Sequence, residues 1–311
     1  MDPARFCTQA RVIIVAGKGG VGKTTVSAAL ARMAARAGLQ ALIVEIEGKS
    51  GIGNAFGRTT PLDYHEAVVA DGVRARTLTP DDALVEYLEA HGMRRISKRL
   101  LSSGAIDVVA TAAPGIKDIL VLGKVKQLER DQVADLIVVD APAAGHAVTF
   151  LASAHGLLDA VQMGPIRSQA QDVIDLLTDS SRCQVLLVTL PEETPVNEVV
   201  ETAFQLEDRV GVSLSAVAVN GIYSHIDGLD VDPETAAADA GVFLRPHEAE
   251  SLRNAAAFRG HRQGLQADQA ERLAKALPLP QLPLPFLFSS EVGPAQIDVL
   301  ADALAAGIEA L

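Results

Sequence analysis

Residues 15–25 read VAGKGGVGKTT, and they sit between an apolar run, Val12 to Ala16, and an alanine-rich stretch with helical spacing. Few folds accommodate that arrangement. A buried strand must end in a glycine turn that delivers the chain directly into a helix N-terminus, which is the first βα unit of a parallel sheet. Gly17, Gly22, Lys23 and Thr24 fit the spacing G-x-x-x-x-G-K-[ST]. Glycines let backbone N–H groups converge on phosphate oxygens with no Cβ in the way, and the helix end adds its positive dipole. Gly17, Gly19, Gly20, Val21, Gly22, Lys23, Thr24 and Thr25 are therefore expected to cradle a nucleoside triphosphate. Lys23 would reach the β and γ oxygens, and the Thr24 hydroxyl would coordinate Mg²⁺.

Short runs of Val, Ile and Leu recur downstream, each closing in a polar or glycine turn before a longer helical pattern. This is the rhythm of a sheet buried on both faces. The expected strands are Val12 to Ala16, Ala41 to Ile46, Leu136 to Asp140, Gln184 to Thr189 and Ser215 to Asn220, with a weaker one at Val73 to Leu78. LPLPQLPLPF, Leu277 to Phe286, admits only an edge strand or an extended loop. Residues 80–132 read as helices inserted between the second strand and the Asp140 strand, either carrying specificity or covering one sheet face. Asp227 to Gly241 reads as a surface loop or short helix. The C-terminal PAQIDVLADALAAGIEAL is amphipathic, and its charges are Asp298, Asp302 and Glu309. Anionic lipid would repel it, so it reads as a core-packing helix. The expected architecture is α/β, one domain over residues 1–311, with a mostly parallel twisted sheet in a three-layer sandwich.

Composition narrows the function. The chain carries 27 Lys and Arg against 39 Asp and Glu, net −12, so no nucleic-acid partner is expected. Cys7 and Cys183 stand far apart and outside any C-x-x-C pair, which disfavours a disulfide framework, a thiolate metal site or a shared iron–sulfur cluster. Met1 to Arg11 lacks the apolar stretch of a signal peptide, and no run approaches the ~18 apolar residues of a spanning helix. A cytoplasmic protein without stable membrane insertion is the expectation.

Lys18 needs a separate account, because Lys23 already serves the loop's own phosphates. On the outer limb of the loop, Lys18 can instead reach across a two-fold axis to a neighbour's nucleotide and act there like an arginine finger; the rival is a solvated loop lysine. GKGGVGKTT resembles the signature-lysine loop of the ATPases that include arsenite-pump catalytic subunits, tail-anchored-protein targeting factors, septum-positioning and plasmid-partition ATPases and nitrogenase iron protein. APGIKD (Ala113 to Asp118), DAPAAGHAVTFL (Asp140 to Leu151), VAVNG (Val217 to Gly221) and LPLPFLFSSEVG (Leu282 to Gly293) are similar to motifs of the arsenite-pump and tail-anchored-targeting branch. In order and spacing the chain is most like its smaller actinobacterial anion-transporting ATPase proteins, which often occur as two paralogous subunits.

The resemblance implies an ATP- and Mg²⁺-dependent ATPase that closes as a homodimer, or as a heterodimer with a paralogue, and couples its cycle to a protein client. It implies Lys18 as the lysine in trans, Asp140 as the Mg²⁺ carboxylate, and Gly145 as a backbone sensor of the γ-phosphate. His146 is either catalytic or a turn residue. Asn220 is an adenine contact or a cap, with Pro283, Leu284 and Pro285 on the adenine side and Pro191 and Glu192 near adenine or the partner. The chain also departs from the family. EIEGKS, Glu45 to Ser50, replaces the first switch, and Glu47 falls where the family's water-orienting aspartate stands. The zinc-binding cysteine pair of the targeting factors is missing, as is a methionine-rich client groove. Two further readings remain beside the ATPase: a nucleotide-binding regulatory subunit with weak hydrolysis, and a positioning ATPase.

Overall fold

Every residue of the apolar run Val12–Ala16 is buried, and so is every residue of Leu136–Asp140. Unbroken burial of this kind requires cover on both faces of a sheet. The structure, a computed structural model, describes residues 1–46, 51–90, 115–142 and 144–311. In chain order the elements are α1 (Pro3–Cys7), β1 (Val12–Ala16), α2 (Lys23–Arg36), β2 (Ala41–Ile46), α3 (Gly51–Ala55), β3 (Ala67–Ala70), β4 (Val73–Leu78), α4 (Pro80–Ala90) and α5 (Ile116–Arg130). They continue with β5 (Leu136–Asp140), α6 (Ala144–Ala160), α7 (Pro165–Thr178), β6 (Cys183–Thr189), α8 (Glu193–Val210), β7 (Ser213–Ile222), α9 (Pro233–Asp239), α10 (Glu248–Ala276), β8 (Gln281–Pro285) and α11 (Pro294–Glu309).

The strands form one eight-stranded sheet in the order β3-β4-β2-β5-β1-β6-β7-β8. All pairs are parallel except β3 with β4. Side chains of period two divide the core. Val12, Ile14, Leu42, Val44, Ile137 and Val139 face α5 to α8, where they meet Leu122, Leu151 and Val199. Ile13, Val15, Ile43 and Val138 face α2 and α11, where they meet Leu30, Leu300 and Leu304. β1 lies between β5 and β6, so the carboxyl ends of β1, β2 and β5 converge at the crevice where open α/β sheets bind ligands.

The sheet agrees with the expected strands, with small shifts: β6 begins at Cys183 and β7 extends over Ser213–Ile222. The proline-rich segment supplies β8, an edge strand, and α9 lies within the expected surface segment. α4 and α5 stand at the two ends of the expected helical stretch, and residues 91–114 lie outside the described ones. The terminal segment forms α11 and buries Ile297, Leu300, Ala301, Leu304 and Ile308. Two elements carry no clear sequence signal. β3 is a four-residue edge strand with no fully buried side chain, and α10 is 29 residues long yet buries only Gln266 and Leu273. Neither shows the apolar stripe that marks an element. Among the described residues, no helix is long and apolar enough to cross a membrane.

Candidate nucleotide site

The loop from Gly17 to Lys23 is shaped by what surrounds its glycines. A Cβ on Gly17 would lie 2.3 Å from the Val188 carbonyl oxygen of β6, so only glycine lets the loop leave β1 so close to a neighbouring strand. Gly20 and Gly22 have φ of 85° and 96°, where an L side chain is strained. Gly22 caps α2. Lys18, Gly19 and Gly20 are exposed, Val21 is buried, and Thr24 and Thr25 are half-buried in the helix's first turn.

Lys23 is 7% exposed, and its Nζ donates to the Lys18 carbonyl oxygen at 2.9 Å. The Thr24 hydroxyl donates to Oδ2 of fully buried Asp140 at 2.7 Å. A threonine hydroxyl and a carboxylate at this distance are hard oxygen donors, suited to Mg²⁺ that keeps several waters and takes the rest of its shell from phosphate. The loop and β5 therefore fit both expected ligands.

The Lys18 ammonium turns away from the loop and pairs with Glu198 of α8 at 2.8 Å, the lysine side chain being half exposed. The Asn220 amide donates to the Val21 carbonyl at 2.9 Å, and its Nδ2 stands 2.3 Å from where a Gly22 Cβ would be. Asn220 thus touches the phosphate loop itself, a contact sequence spacing does not reveal. On the adjoining strand, Val219 pairs with Pro283 and Ile222 with Pro285. Pro283 is exposed, Pro285 half-buried, and the Leu284 side chain lies in the core. Beside them Tyr223, Phe286 and Phe288 form an aromatic cluster, with the Arg259 guanidinium 5.3 Å from the Tyr223 ring centre. Pro191 is buried; Glu192 is exposed and pairs with Arg262 at 3.2 Å.

Gly145 and exposed His146 stand in the first turn of α6. Asp118 occupies the first turn of α5; burial pushes its carboxyl up to about 6, and the His146 charge opposes that rise. Glu47 lies outside the described residues, as do Ala113 and Pro114. Burial pushes the Cys7 and Cys183 thiols up to about 12, which leaves them inert.

The residue missed by sequence reasoning is Glu45, 1% exposed near the end of β2. Its signal was a single charge in an otherwise apolar strand.

Residues 10–168 match the family described as Anion-transporting ATPase. The ATPase BagA of Mycobacterium tuberculosis is 34% identical over 299 residues, covering 88% of this chain and 87% of that protein. The chain belongs to the anion-transporting ATPase family. It is accordingly an ATP hydrolase. More distant members match over shorter stretches. The Escherichia coli arsenical pump-driving ATPase is 24% identical over 66% of this chain and 38% of its own length. The fission-yeast ATPase get3 (Schizosaccharomyces pombe) is 27% identical over 46% and 43%.

Proposed function

We propose that this member of the family is a single-domain, Mg²⁺-dependent ATPase that acts as a dimeric switch. It hydrolyses ATP with a lysine supplied in trans and drives a client-targeting or transport-associated cycle. The observation that carries the reading is the division of labour between two lysines on one loop. Lys23 stays inside the loop, on the Lys18 carbonyl, whereas the Lys18 head group lies on the outer surface beside Glu198. A second copy, or a paralogue, approaching that surface would receive Lys18 at its own γ-phosphate.

Mg²⁺, when bound, would supply positive charge to offset the negative charge that develops on the transferred phosphoryl group. Thr24 and Asp140 would hold the metal, the backbone N–H groups of residues 17–25 the phosphates, and Glu47 the attacking water. Gly145, at the start of α6, would report loss of the γ-phosphate. Asn220 and the 283–285 strand stand on the base side. The glutamate at position 47, one methylene longer than the family's aspartate, favours a second reading: a regulatory subunit that turns over slowly alone and stimulates a paralogue. The buried thiols suit a reducing cytoplasm.

The test is Mg²⁺-dependent ATP hydrolysis measured across a wide range of protein concentrations, with Lys18→Ala and Lys23→Ala alongside. Specific activity that climbs with concentration and drops at least 100-fold in both variants supports the switch. Activity independent of concentration and unchanged in Lys18→Ala sinks the trans lysine. ATP binding without turnover at any concentration selects the regulatory reading.

A further inference from the structure

We infer that Glu45 is a positioning residue of the hydrolysis site, fastening the first turn of α3 across the phosphate loop; this rests on the reading of residues 17–25 as the ATP-hydrolysing loop. Glu45 interrupts a strand whose preceding residues, Ala41 to Val44, are all buried and apolar. A carboxylate in such a place needs hydrogen bonds to compensate its lost hydration. It has one at each oxygen. Oε1 accepts the Ile52 backbone N–H at 3.2 Å, and Oε2 accepts the Thr77 hydroxyl at 3.3 Å.

The register shows what this arrangement touches. Glu45 stands opposite Thr77 on β4 and opposite Asp140 on β5. Register neighbours in parallel strands project from the same face, so all three side chains leave the sheet toward α2 at its carboxyl edge. α3 then closes the circuit. A Cβ on Gly51 would lie 2.7 Å from Thr24 Cγ2, so the first residue of α3 rests on the loop threonine whose hydroxyl is bonded to Asp140. The next residue, Ile52, is fully buried and gives its N–H to Glu45. The carboxylate thus ties the end of β2 to the start of α3, beside Thr24 and Asp140, the two groups proposed above to hold Mg²⁺.

Stability alone gives little reason for an acid here, because a buried charge is often replaced by an apolar residue with no loss. Placement does give a reason: a shift of about 1 Å at a reacting site costs about 100-fold in rate. The terminal carboxylate of Glu45 makes the Ile52 contact, so reach and charge can be separated. Glu45→Gln keeps the length and a carbonyl acceptor for the Ile52 N–H, and the Thr77 hydroxyl can turn to accept from the new amide. Glu45→Asp keeps the charge and withdraws it by one methylene.

The experiment measures kcat and KM for ATP together with hydrogen exchange at the Ile52 amide, with and without ATP and Mg²⁺. The expected order is Glu45→Gln within about threefold of the parent and Glu45→Asp down about 10- to 100-fold in kcat with KM changed less than about threefold. Ile52 exchange should be accelerated only in Glu45→Asp. The reverse order, with Asp active and Gln inactive, overturns the inference in favour of charge. Equal kcat in all three proteins assigns Glu45 to folding and overturns it as well. A parent without turnover would instead count against the hydrolysis reading, and the amide exchange would still decide the role of Glu45: ATP and Mg²⁺ should protect Ile52 in the parent and in Glu45→Gln, and equal protection in Glu45→Asp sinks it.

Discussion

Gly17 shows how narrowly one position can be specified. With the Val188 carbonyl 2.3 Å from any added Cβ, Gly17→Ala must move either β6 or the loop. The expected outcome is a loss of about 1–3 kcal/mol of stability in urea unfolding, together with loss of ATP binding. Lys18 belongs to the same scale. Its pair with Glu198 is half exposed, and such pairs contribute about 0–1 kcal/mol. A pair of that strength is weak enough to break, as the role proposed for Lys18 in trans requires. Glu198→Gln should raise turnover at low protein concentration by no more than about fivefold and should do nothing in a Lys18→Ala background. Asp118 gives a pH signature. Its carboxyl is raised from 3.8 to about 6, so the fold binds the proton more tightly than the unfolded chain does. That contribution is complete below about pH 4 and disappears as pH rises through 6. Asp118→Asn should match the parent near pH 4 and exceed its stability by about 1 kcal/mol at pH 8, after discounting for solvent screening; a pH series of urea midpoints checks this.

Among elements, α11 separates two readings of the terminal segment. Leu300 and Leu304 are fully buried in the core that also holds Leu30 of α2, while Arg32 and Arg36 of α2 pair with Asp298. Leu304→Ala should cost about 2–5 kcal/mol in urea unfolding, and the parent should not sediment with anionic vesicles. A tail that attached to membranes would give the opposite pair of results. α10 makes the contrary case. It buries two residues of 29, so beside the apolar anchor Leu273 its hold on the molecule lies in polar contacts, such as the Gln266 amide donating to the Gly221 carbonyl at 2.9 Å. No hydrophobic period announces a helix of this kind, because its partners include backbone groups of Gly221, Tyr223 and Ser224, at the end of β7 and just beyond it, that only folding brings near. β3 escaped notice for a similar reason, being a short edge strand paired on one side.

At the scale of the whole molecule, the family membership points to ATP hydrolysis, and the net charge of −12 disfavours the phosphate backbone of nucleic acid as a partner. What was legible in the chain was local. The Val12–Ala16 run, the glycines at 17, 20 and 22, Lys23 and Thr24 form one contiguous device whose spacing dictates a strand, a phosphate-binding turn and a helix N-terminus, because backbone sterics and N–H direction act over a few residues. Asp140 could be placed at a strand end by the same reasoning. Tertiary structure alone decided how distant groups converge on that device: Val188 behind Gly17, Asn220 on the Val21 carbonyl, Glu198 beneath Lys18, and Glu45 joined to Ile52 over Thr24. Strand order sets these meetings, and strand order depends on which faces the helices bury, a property of the packed core that no short stretch of sequence contains.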